Sequence, residues 1–220
     1  PQPIQECRDI VIVMDGDLIV RNGGSLTVIN GGLKFVEDTT HLYGITVEAG
    51  SSFTLQNSEV WTETILINPY IQLTVQVSGT FTADRSTLAF PGTFDALAGS
   101  LITFRNGSLV RGTEADVSNI FSTTAEQDNN DDAPGLTFTT STVYVYASRI
   151  ESLCESSSGS PCGGREDIRL LGATQFTAVD SFLAIDFCCA PAAPTTHNEL
   201  NLSGTARAYL YGVTTDAAEN

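Results

Sequence analysis

The side chains with the most chemistry to offer in this chain are acidic. Asp128, Asp131 and Asp132 crowd into AEQDNNDDAPG, where the density of oxygen ligands suits Ca²⁺, the one cofactor the sequence suggests. The loop lacks EF-hand spacing, and an exposed acidic turn is the reading its Asn, Asp and Pro content favours. Arg85 and Arg105 recur at nearly equivalent places beside Asp84, a pattern that an ordinary surface ion network explains. His41 and His197 have no Ser or Cys partner at a recognisable spacing. Trp61 and Tyr70 are of a type that stacks on sugars, although single aromatics near strand ends usually serve the core or its rim. Asn106-Gly-Ser and Asn201-Leu-Ser match the N-glycosylation acceptor pattern, and Asn106 also reads as a corner residue. These groups do not add up to a catalytic constellation, so a non-enzymatic protein is expected.

What must position them is a repeat. Leu18–Leu33, LIVRNGGSLTVINGGL, reads as a short alternating strand, a Gly turn, a second alternating strand and an Asn-Gly corner. Ile45–Val60, ITVEAGSSFTLQNSEV, matches it position for position. Further copies begin near 73, 94, 135, 168 and 200, separated by inserts at 111–134, 151–167 and 185–199. The long interval before 135 leaves room for a degenerate rung within 111–134. Thr, Val, Ile, Phe and Tyr dominate the runs, as a pleated, half-buried surface requires. No window carries helical spacing. Hairpins through Gly23-Gly24 and Asn30-Gly31 are the competing arrangement. Recurrence of whole units in one phase favours coils stacked on one another, each burying its neighbour. The expectation is an all-β parallel β-helix of about seven to eight rungs with irregular inter-rung loops, residues 1–220 forming a single domain. Phe53, Phe81, Ile102 and Phe176 should form an inward ladder. Asn30, Asn57 and Asn106 should form a partial Asn ladder, interrupted by Arg85, Ala147, Asp180 and Tyr211.

The I-x-V-x-x-G-x-x-F-T-x-x-x-S-x-V unit resembles the coils of right-handed parallel β-helix proteins, the pectate-lyase-like group and many secreted surface proteins. Enzymes of that group imply an acidic calcium cluster with an Arg or Lys base, or carboxylates at glycosidase distance. Fold resemblance alone does not carry activity.

Composition narrows the setting. The net charge is −16 and Lys34 is the only lysine, which argues against nucleic acid as a partner. There is no apolar run of membrane-spanning length. The chain opens Pro1-Gln2-Pro3, which is expected of a processed, secreted product. Five cysteines without a C-x-x-C pair point to disulfides, and so to an extracellular or cell-surface location. Cys154 and Cys188 fall on neighbouring rungs, close enough to bridge. Cys162 is available to either, and Cys189 faces away from Cys188 on a strand. The odd total leaves Cys7 as the candidate for an intermolecular bond, or as a buried thiol.

Nothing in the sequence reads as a cap on either end of the solenoid. Ile10, Val11, Ile12 and Val13 at one end, and Tyr209 and Tyr211 at the other, are the expected assembly edges. The chain's expected partner is itself, stacked head to tail into a filament, sheath or surface layer. In its acidic, low-lysine, β-rich composition the chain resembles prokaryotic envelope and sheath proteins. The competing expectation is a carbohydrate-binding or polysaccharide-cleaving module using loops 111–134 and 151–167, or one segment of an adhesin.

Overall fold

The computed structural model describes residues 4–37, 43–64, 73–89, 92–113, 115–116, 132–133, 136–153, 168–185 and 200–217. They wind into a parallel β-solenoid of eight rungs with three long sheets. Sheet A stacks Ile4–Arg8, Ser25–Ile29, Ser52–Gln56, Thr80–Asp84, Leu101–Arg105, Thr142–Tyr146, Gln175–Val179 and Arg207–Tyr211. Sheet B stacks Val11–Met14, Gly32–Glu37, Glu59–Thr64, Thr87–Ala89, Leu109–Thr113, Arg149–Leu153, Phe182–Ile185 and Thr214–Ala217. Sheet C has seven strands: Leu18–Val20, Tyr43–Val47, Leu73–Val77, Gly92–Ala96, Leu136–Thr139, Ile168–Leu171 and Leu200–Leu202. From the second rung on, the chain runs C, then A, then B.

This bears out the parallel β-helix and amends its details. From rung 2 on each coil has three strands where the sequence repeat resolves two, because the sheet B strands vary most in length and outward residues. Among the described residues no rung intervenes between rungs 5 and 6. Leu101–Arg105 pairs directly with Thr142–Tyr146, and Leu109–Thr113 with Arg149–Leu153, leaving no place between them. Ala115–Asp116 instead pairs antiparallel with Asp132–Ala133, closing that insert at its base. The additional rung lies at the other end, so Cys7 and Ile10–Val13 belong to rung 1 and do not precede it.

Corners between sheets A and B are made by left-handed residues, one in each rung except rung 5, where Gly107 (φ 86°) follows Asn106. Asp9, Asn30, Asn57, Arg85, Asn106, Ala147 and Asp180 all have φ between 44° and 59°. In rung 8 the corner is Gly212 (φ 60°), and Tyr211 ends the strand opposite Val179, which corrects the placement of Tyr211. The Asn column is real but short: Asn30 Nδ2 donates to Asp9 Oδ1 at 3.2 Å, and Asn57 Nδ2 to Asn30 Oδ1 at 3.1 Å.

Behind the corner runs a second ladder, of serines. Ser58, Ser86, Ser108, Ser148 and Ser181 are all buried. The Ser86 hydroxyl donates to the Asp84 carbonyl of its own rung (2.8 Å) and accepts from the Ser58 N–H of the rung before (3.1 Å). The Ser108 hydroxyl accepts from Ser86 N–H in the same way, at 3.2 Å. These hydroxyls satisfy corner amides that a parallel ladder leaves unpaired.

The core follows from alternation. Phe53, Phe81, Ile102, Val143 and Phe176 are column partners and fully buried, the inward ladder expected from the repeat. Turn length sets the phase of sheet C. Four residues join Tyr43–Val47 to sheet A, but only Ser78 and Gly79 join Leu73–Val77, so Ile45 pairs with Val75. Gly79 is required there: a Cβ would stand 2.4 Å from the carbonyl oxygens of both Glu48 and Ser51.

Candidate functional site

The acidic loop does not assemble a site within the described residues. Asp128 and Asp131 lie outside them, and Asp132 is placed only through its backbone pairing opposite Asp116. Among the described residues no group of three His, Cys, Asp or Glu is arranged to hold a metal ion. Cys154, Cys162, Cys188, Cys189, His41, His197 and Tyr70 also lie outside the described residues. Trp61 packs over the preceding rung. The Cζ3 edge of its ring would come within 2.4 Å of a Cβ at Gly32, so the ring lies against that glycine's backbone.

The expected ion network exists. Asp84 takes Arg105 Nε at 2.9 Å and Asn106 Nδ2 at 2.9 Å, with Arg85 Nε 3.4 Å away. Burial pushes its carboxyl up, but the Asn106 hydrogen bond and the Arg105 and Arg85 charges outweigh it and hold the pKa below the usual value. The network therefore stabilises the fold at neutral pH and is lost as acid protonates Asp84. With its amide so engaged, and φ at 59°, Asn106 is a corner residue. Asn201 sits half-buried opposite Arg169 on sheet C.

A second network escaped the sequence reading. Glu151 on sheet B is buried, with Arg111 Nε on one oxygen at 2.5 Å and Arg149 Nε on the other. Arg149 also lies over the Phe182 ring, 4.1 Å from its centroid. Arg111 and Glu151 share a column, but the 40-residue separation hides this until the insert is removed. Beside them an open groove of about 540 Å³ follows the corner past Leu109, Arg149, Asp180 and Phe182. Among the described residues lining it Asp180 is the one carboxylate, and Glu151 is held by two arginines.

Asp95 is the most perturbed acid that the structure describes. It points outward from sheet C, half-buried, with Thr93 Oγ1 3.5 Å from Oδ2. Burial raises its pKa from 3.8 to about 6, against the lowering effect of that hydrogen bond. The folded chain thus holds this proton more tightly than the unfolded one. Stability falls as pH rises from 3.8 to about 6, and stays at the lower level above. Asp95→Asn is expected to stabilise the protein at pH 7 by up to about 3 kcal/mol and to have little effect near pH 3.5. Denaturant melts of both proteins at the two pH values check it.

The least ordinary geometry is at the two ends. Leu202 and Leu210 face inward, in column with Leu170 and Ala178, which are 0% exposed. Yet they are 46% and 43% exposed. At the opposite end Ile12 and Met14 cover Leu33 and Phe35 and are only partly buried. Cys7, over Val28, is unbridged and half-buried. The partly buried hydrophobics packed on the core lie in the first three rungs, such as Ile12, Leu26 and Tyr43, or in the last, such as Ala208 and Val213. Among the described residues no strand covers either edge.

No family model, curated protein or solved structure matches the chain. Among the described residues no helix is long and apolar enough to cross a membrane.

Proposed function

We propose that the chain is an extracellular structural subunit that stacks end to end, continuing its β-solenoid from copy to copy into a filament, sheath or surface layer. The observation that carries this reading is the half-exposed core at Leu210, which the first rung of another copy would bury. Extending the sheet columns by one step sets the register. Ala208, Leu210 and Tyr211 meet Gln5, Cys7 and Arg8 of the next copy, and Thr215 meets its Ile12. Leu210 then closes on Cys7, and the free edges of sheets A and B find partners. A heterologous contact of this kind propagates without closing on itself unless its rotation completes a ring. Cys7, free at the exposed end, is available to tie copies covalently. The cysteine content and acidic surface support a location outside the cell.

The same open ends suit a segment of a longer adhesin, in which further rungs belong to one polypeptide. Sedimentation velocity over a rising concentration series, with and without reductant, separates the two. Stacking gives species that lengthen with concentration. A single monomeric boundary at every concentration contradicts it and favours the segment.

A further inference from the structure

We propose that the outer face of sheet A in rungs 6–8 is a binding platform for neutral polysaccharide. Its tyrosines, Tyr144 and Tyr146 in rung 6 and Tyr209 and Tyr211 in rung 8, point outward in two columns, spaced by Thr177 and Val179. Tyr146, Tyr209 and Tyr211 are 39%, 38% and 59% exposed, among the most exposed large side chains described. The Tyr144 and Tyr146 rings run parallel, 10° apart in plane with centroids 6.0 Å apart. Two strand spacings put the rung-6 and rung-8 pairs roughly 9.5 Å apart, on the scale of a disaccharide. Flat aromatic rings offer stacking faces to the C–H faces of pyranose rings, and each carries a hydroxyl for the sugar's own hydroxyls.

Charge decides which polysaccharide. The chain has 26 carboxylates, but Asp84 is the only one at an outward sheet A position in rungs 2–8, and it is tied to Arg105 and Asn106. Rungs 6–8 present none, and Arg207 is their only charge. The rest of the face is hydroxyl-rich, with Ser25, Thr27, Ser52, Thr54, Thr80 and Thr82 in straight columns. An anionic polymer is repelled by the net charge of −16, and a cationic one is drawn to the acidic surfaces elsewhere. A neutral, extended, hydroxyl-bearing chain fits this face. So regular a polar face is a poor match for the apolar core of a permanent contact between copies.

The test is depletion of the protein from solution by microcrystalline cellulose and by chitin, with retardation in gels containing mixed-linkage β-glucan. The wild-type chain is expected to be retained by at least one of them. Tyr209→Ala/Tyr211→Ala is expected to weaken retention at least tenfold, and Tyr209→Phe/Tyr211→Phe to keep most of it. Circular dichroism melts confirm that both variants fold, and Tyr146→Ala supplies an independent site. No retention on any neutral polysaccharide overturns the proposal, as does unchanged retention of the alanine variants. Altered sedimentation of Tyr146→Ala without polysaccharide, in place of lost retention, assigns the face to contacts between copies and also overturns it. End-to-end stacking is read separately through Tyr146→Ala, because Tyr146 lies two rungs inside the stacking edge to which Tyr209 and Tyr211 belong.

Discussion

Phe81→Ala is expected to cost the protein about 3–5 kcal/mol, the range for deleting a fully buried ring. Phe81 lies at the centre of the ladder: its ring meets Phe53 at 5.5 Å, Phe94 at 5.4 Å and Phe104 at 6.2 Å, all edge-on. The first is a column neighbour, the second faces it from sheet C, and the third belongs to the adjacent column. Loss of Phe81 therefore opens a void shared by three rungs, which parallel strands held on both sides cannot collapse to fill. At this chain length such a loss lowers Tm by roughly 10 °C. Phe81→Leu should recover most of it. Thr82→Ala, one residue along and facing outward, should stay within about 0.5 kcal/mol. Thermal melts of the three variants decide the point, and equal losses for Phe81→Ala and Thr82→Ala would contradict the assignment of faces.

Leu210→Asp tests the ends. In the isolated chain Leu210 is 43% exposed, so a carboxylate there keeps contact with water and costs about 1–2 kcal/mol. In a stack the same position closes over Cys7 of the next copy, and a buried, unpaired carboxylate costs several kcal/mol more. The concentration needed for assembly should therefore rise at least about a hundredfold, which corresponds to about 2.7 kcal/mol. Leu210→Met should assemble like the parent. Sedimentation of the two variants reads the difference, and undiminished assembly by Leu210→Asp would place the contact elsewhere.

How much of this was legible beforehand varies with the strength of the local pattern. Sheet A alternates strictly in almost every rung, so the Phe53–Phe81–Ile102–Phe176 column and the Asn30–Asn57–Asn106 corner could be read directly from spacing. Sheet B was missed as a separate strand because outward residues such as Trp61, Arg111 and Phe182 break the alternation with their own contacts. Rung 1 was missed because Gln5 and Cys7 stand at inward positions usually filled by Leu, Val or Phe. The last repeat is a residue short, so its spacing points to Tyr211 as the corner, and only the pairing opposite Val179 moves the turn to Gly212. The tyrosine platform needs three rungs brought side by side from residues 144 to 211, a juxtaposition no local window contains.

End-to-end continuation of the sheets is tested most directly by diffraction from oriented assemblies, or by the power spectrum of their electron micrographs. Strands stacked along the filament give a spacing of about 4.7–4.8 Å parallel to its axis. That is the predicted result. The same spacing running across the axis, or its absence from an ordered filament, would show that copies join through their sides and would contradict the account.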